Sequence, residues 1–140
     1  MLYFGFLQFF YYINHMTDFK FNPYKISKVL IDNIGDNELI QILGTSSVKN
    51  KKGEVSEYLK ELVDLLCNKD IKIGTLEPYD HYDEPKIGLL QHIFEHNKYF
   101  VFIGCPHDCF SEIRFHGDSI IIDPWGIVNK ELEGQAKVIR

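Results

Sequence analysis

Several things are missing from this chain. No basic stripe runs along it, and its formal net charge is −5 over 140 residues. That balance points away from nucleic acid, whose phosphates need clustered lysine and arginine. No G-x-G-x-x-G follows any strand-like segment, so the cradle for a dinucleotide pyrophosphate is absent. Cysteine is scarce: Cys67, Cys105 and Cys109 are the full set. An odd, sparse set does not fit a disulfide-stapled secreted scaffold and suggests reduced thiols in a cytoplasmic protein. No apolar run reaches the roughly 20 residues of a membrane span, and no solenoid repeat or low-complexity stretch is present.

The first residues are unusual in another way. Leu2 to Ile13 carries no charge and is crowded with Phe4, Phe6, Phe9, Phe10, Tyr11 and Tyr12. It lacks the basic start and cleavage site of a signal peptide. Three readings stand: an element packed on the domain, an extension upstream of a start at Met16, or a surface for membrane or partner. The expected organisation is an aromatic leader and N-terminal helix over 1–35, then one domain over 36–140.

What is present is an alternation of periods. Ile26, Val29, Leu30 and Ile34 recur at helical spacing, and Gly35 stops that helix. ELIQILG (Glu38 to Gly44) reads as a strand. Val55, Leu59, Leu62, Val63, Leu65 and Leu66 mark a helix over Glu54 to Cys67. IKIGTL (Ile71 to Leu76) is strand-like up to Glu77-Pro78. Ile87, Leu90, Ile93 and Phe94 give a third helical face, YFVFIG (Tyr99 to Gly104) a buried strand, and SIIID (Ser119 to Asp123) a strand closed by Pro124.

Apolar strands alternating with helices predict a three-layer, Rossmann-like, doubly wound parallel α/β sheet of about four to five strands. Ligands of such sheets bind outside the carboxyl ends of the strands. GTSSVK, EPYDHYD, CPHDC and PWG all fall on that edge.

Taken in order, these segments resemble the C-terminal, UDP-sugar-binding domain of the UDP-glucose/GDP-mannose dehydrogenase family. ILG (Ile42 to Gly44) matches the opening. Val48-Lys49 stands where the family has Phe-Lys, one residue late. Glu54, Val55 and Glu57 fit the acidic stretch, Glu77-Pro78 replaces Asp-Pro, His107-Asp108 fits the histidine turn, and IIID (Ile120 to Asp123) fits the last strand. Ser56 occupies the position of the family arginine and Tyr58-Leu59 that of Ser-Pro. The match covers roughly Glu38 to Val128.

The resemblance implies a nucleotide-sugar-binding half-enzyme related to oxidoreductases of polysaccharide biosynthesis. The family's NAD-binding part and its glycine-rich catalytic cysteine motif are not in this sequence. Oxidation would therefore need a separately encoded catalytic half, or a homo-oligomer would bind sugar nucleotide without chemistry. The expected substrate-binding residues are Thr45, Ser46 and Ser47 as donors, Lys49 on the pyrophosphate, and His107 and Asp123 along the rest of the edge. No metal ligand and no resident cofactor are expected.

Other readings of the same residues remain open. Cys105 beside His107 could be an activated nucleophile, or the turn could simply end a strand. His92 and His96, four apart on a helix, could join Cys105 and Cys109 around zinc. Trp125 could stack on a base or anchor the tail, and Tyr79, Asp80, Tyr82 and Asp83 could read ligand hydroxyls. The chain could also be a degenerate interaction module without catalysis.

Overall fold

Asn22 accepts the backbone N–H groups of Tyr24 and Lys25 at 3.0 and 3.1 Å, and Pro23 presets the first helical φ. Helix α1 therefore spans Pro23–Ile34 and ends at Gly35, whose φ is 58°. The computed structural model describes residues 22–79, 84–129 and 136–140. The aromatic leader and the Asp80 to Asp83 portion of the tyrosine loop lie outside the described residues. In chain order there follow β1 (Leu39–Leu43), α2 (Glu57–Cys67), β2 (Lys72–Leu76) and α3 (Ile87–His96). Then come β3 (Phe100–Ile103), a 3-10 helix (Asp108–Glu112), β4 (Ile120–Ile122) and β5 (Lys137–Ile139).

The five strands form one sheet in the order β2-β1-β3-β4-β5, with every neighbouring pair parallel. The expected doubly wound α/β class is what the chain adopts. The two faces follow from the period-2 alternation of the strands. Ile40, Ile42, Phe100, Phe102 and Ile122 pack under α1 and α2, against Ile26, Leu30, Leu59, Leu62 and Leu66. Leu43, Val101, Ile103 and Ile121 point to the opposite face, where Leu90, Phe94, Phe110 and Ile113 cover them. Both faces of the central strands are dry, which is why β3 reads as an unbroken apolar run.

Two elements depart from the sequence reading. Helix α2 begins at Glu57, three residues later than expected. Glu54 and Val55 are instead extended: Ser47 N–H donates to the Glu54 carbonyl at 2.8 Å, and Ser46 forms an antiparallel bridge with Val55. Val55 is accordingly exposed rather than part of the core. Strand β5 extends the sheet beyond the four strands legible as separate segments.

The topology has one switch point. From β1 the chain crosses to β2 on one side, and from β2 it returns to β3 on the other. The backbones at the two strand ends touch there. Gly44 has φ 86°, and a Cβ on it would sit 2.8 Å from the Cys105 carbonyl. A Cβ on Gly104 would collide with the Gly44 carbonyl. Only glycine fits either position. No helix among the described residues is long and apolar enough to cross a membrane.

Candidate functional site

The site grows from three loops at the carboxyl edge. The loop after β1 folds back on itself through the Ser46–Val55 bridge. Within it, the Ser46 hydroxyl donates to the Val48 carbonyl at 2.8 Å and accepts the Val48 N–H at 3.0 Å. Asn50, with φ 61°, then fastens this loop to the turn after β3. Its side-chain N–H donates to Asp108 Oδ2 at 2.8 Å and its side-chain oxygen accepts the Asp108 N–H at 2.8 Å. Lys49 Nζ lies 3.1 Å from Asp108 Oδ1. Asn50 holds the exposed Asp108 carboxyl below its usual range, and Lys49 reinforces it.

Behind these loops is a part-buried polar knot centred on Glu77, directly after β2. Oε1 accepts the N–H groups of Thr45 and Ser46 at 2.8 and 2.9 Å, and Oε2 accepts that of Tyr79 at 2.9 Å. His107 Nε2 sits 3.1 and 3.0 Å from the two oxygens. Burial alone would raise the Glu77 carboxyl. The hydrogen bonds from His107, Tyr79 and Thr45 together outweigh it, and the group is held below its ordinary value. His107 is fully buried, and its Nδ1 accepts the Asn50 N–H at 2.8 Å. That bond assigns the ring proton to Nε2, facing the carboxylate. The ring packs between Tyr79 and Phe110, tilted to the first and edge-on to the second, with centroids 4.7 and 5.4 Å away.

In front of the knot, at the β1/β3 switch point, opens a cavity of about 380 Å³. Ser46, Ser47 and Lys49 line it from the first loop, Ser56, Glu57 and Tyr58 from the start of α2, and Gly104, Cys105 and Pro106 from the third strand end. Trp125 closes one side, its indole N–H donating to the Ile103 carbonyl at 2.7 Å. The Tyr58 hydroxyl donates to the Gly104 carbonyl, bracing α2 against β3. Burial, then the nearby Cys105, push that phenol well above its ordinary value. Ser56 stands at the N-cap of α2, yet its side chain makes no capping bond. Its Oγ is buried without a hydrogen-bond partner among the described residues.

The expected residues therefore separate into two groups. Ser46, Ser47 and Lys49 come together on the cavity wall. Thr45 offers its backbone N–H to Glu77, and His107 has both ring nitrogens occupied behind the wall. Asp123 is fully buried and closes its own turn, accepting the N–H groups of Gly126 and Val128 at 3.0 and 2.9 Å. Arg140 Nε is 3.7 Å from its Oδ2. Ser56 and Tyr58 of the wall carried no signal as ligand residues.

The structure brings Cys105 near the expected His107 and adds Glu77 as a third group that the sequence did not show. Cys105 Sγ lies 3.9 Å from His107 Nδ1, and Glu77 orients the same ring. The arrangement is nevertheless not poised for attack. The Nδ1 lone pair is already used by Asn50, and burial, with the Glu77 charge behind it, pushes the thiol up to about 12 despite Lys49. At neutral pH about one thiol in 10⁵ would be ionised. Cys109 is raised in the same way, to about 12. The four-ligand zinc set is not assembled: Cys105 and Cys109 are buried while His92 and His96 are exposed. Among the described residues, no group of three or more His, Cys, Asp or Glu is placed to hold a metal ion.

The fold and cleft define a Rossmann-like α/β domain with a cavity at its topological switch point. Comparisons with protein-family models, curated proteins and solved structures return no match.

Proposed function

We propose that this domain binds a nucleotide sugar of the UDP-sugar type across the carboxyl ends of β1 and β3. The observation that carries the reading is the cavity in front of Gly44 and Gly104, at the position where open parallel sheets receive ligands. Its volume lies in the range of small-molecule sites. Its wall combines the features a phosphorylated ligand needs: the Lys49 ammonium, the hydroxyls of Ser47 and Ser56, and the N-terminus of the 11-residue helix α2, while the Ser46 hydroxyl, engaged with Val48, shapes the loop. The buried Ser56 Oγ has no hydrogen-bond partner among the described residues, and in this reading the ligand supplies one. Trp125 gives an aromatic surface for a sugar or base. In this reading Lys49 exchanges part of its pairing with Asp108 for the ligand's phosphate.

The domain is non-catalytic by itself. The thiol nearest the cavity is protonated, and no glycine-rich dinucleotide cradle is present in the sequence. Sugar oxidation would require NAD held by a separately encoded partner half; in a homo-oligomer of this chain the role is binding alone. Three free cysteines suit a cytoplasmic setting.

Calorimetric titration with UDP-glucose, UDP and NAD tests the proposal. UDP-glucose and UDP should bind and NAD should not, and Lys49→Ala should weaken UDP binding at least tenfold. Absence of heat with all three ligands, or an unchanged affinity in Lys49→Ala, would overturn it.

A further inference from the structure

We propose that the outward face of α3 carries a two-histidine site for a borderline divalent transition-metal cation. His92 and His96 are four residues apart, so the helix places them one above the other on one face. Their ring centroids are 4.7 Å apart, with the planes inclined at 60°. Zinc–imidazole bonds of about 2.0–2.1 Å place an ion about 3.2 Å from each ring centre. Two such rings at an N–metal–N angle between about 90° and 109° have centroids about 4.5–5.2 Å apart. The observed separation falls inside that window.

Among the described residues nothing competes for the rings. Both are exposed, and neither makes a hydrogen bond among the described residues. Glu95, between them in sequence, is engaged by the Gln91 side chain at 3.3 Å. His96 lies in the last turn of α3, where the helix dipole favours positive charge. Two imidazole nitrogens select for Cu²⁺, Ni²⁺ or Zn²⁺ and against Mg²⁺ or Ca²⁺, which need oxygen ligands. With no third side chain in place, water fills the remaining positions and the ion exchanges readily. The site is independent of the switch-point cavity and of Cys105 and Cys109.

The test is calorimetric titration of the full chain with NiCl₂, with MgCl₂ as control, in a Cys67→Ser background that removes the exposed thiol. One Ni²⁺ per chain is expected and no response to Mg²⁺. His92→Ala and His96→Ala should each weaken Ni²⁺ at least tenfold. Ni²⁺ should raise the melting temperature of the parent, because the two rings are held together only in the folded helix, and should not raise that of the double variant. Both histidines are exposed, so the variants fold and the comparison can be read. Equal Ni²⁺ affinity in either single variant, or no binding by the parent at millimolar Ni²⁺, would overturn the site.

Discussion

Glu77 and Asp123 are both carboxylates placed directly after a parallel strand and followed by proline, and in the sequence they look alike. Their structural duties differ. Asp123 serves its own neighbourhood: its oxygens take the N–H groups of Gly126 and Val128, three and five residues on, and close the turn after β4. Glu77 serves distant segments: it gathers Thr45 and Ser46 from the loop after β1 and His107 from the turn after β3. One fixes a turn and the other fixes the relation between two loops that flank the cavity. An acidic strand end therefore does not announce a ligand residue; what decides is which donors the fold brings to it.

The largest expected effect falls on Asp123. Asp123→Ala leaves two N–H groups without their charged acceptor in a fully buried site, and should lower the unfolding free energy by about 3 kcal/mol. Urea denaturation measures this; a loss under half that value would mean that water replaces the carboxylate as acceptor. Glu77→Gln should cost less, about 2 kcal/mol, because the amide keeps one acceptor but must turn its NH₂ toward a backbone donor. Glu77→Gln should also change the response to acid. The folded Glu77 carboxyl lies below its ordinary value of 4.5. The stability it contributes is thus complete above that value and is lost as pH falls through the lower, folded one. Glu77→Gln should flatten that part of the acid limb, leaving the slope that Asp108, also depressed, contributes. Identical acid limbs in parent and variant would remove the charged role assigned to Glu77.

The same contrast explains what sequence reading could reach. Each helix and strand with four or more apolar positions at one period was legible, since local spacing and global burial agree in them. The start of α2 was not, because Val55 continues the helical period while its backbone pairs with Ser46 instead. Strand β5 has three residues and gains its identity from pairing with β4. At the site, Ser46, Ser47 and Lys49 were legible from their place after β1. The Glu77 knot was not: its donors lie up to 32 residues away, and no spacing rule links them.

The cysteines separate a buried turn from an exposed helix end. Cys67 is exposed at the end of α2, whereas Cys105 and Cys109 are buried with both thiols pushed up to about 12. Iodoacetamide at neutral pH should modify Cys67 in the native protein and reach the other two only after unfolding, as read by peptide mass spectrometry. Rapid native labelling of Cys105 would instead restore the nucleophile reading, because a reactive thiol beside His107 has to be a thiolate.

The smallest effect on the fold belongs to Lys49, and it sharpens the comparison most. Its partner Asp108 is exposed, and such pairs contribute little to stability. The loop is anchored by neighbours instead: Asn50 makes two side-chain bonds with Asp108, and its backbone N–H reaches His107. Lys49→Ala should therefore leave the melting temperature unchanged within error. Asn50→Ala removes both side-chain bonds and should lower it measurably. A lysine dispensable to the fold yet held on the cavity wall is what a ligand-facing charge requires. If Lys49→Ala destabilised the protein as much as Asn50→Ala, the lysine would belong to the scaffold, and the loop after β1 would join Asp123 as a piece of structure.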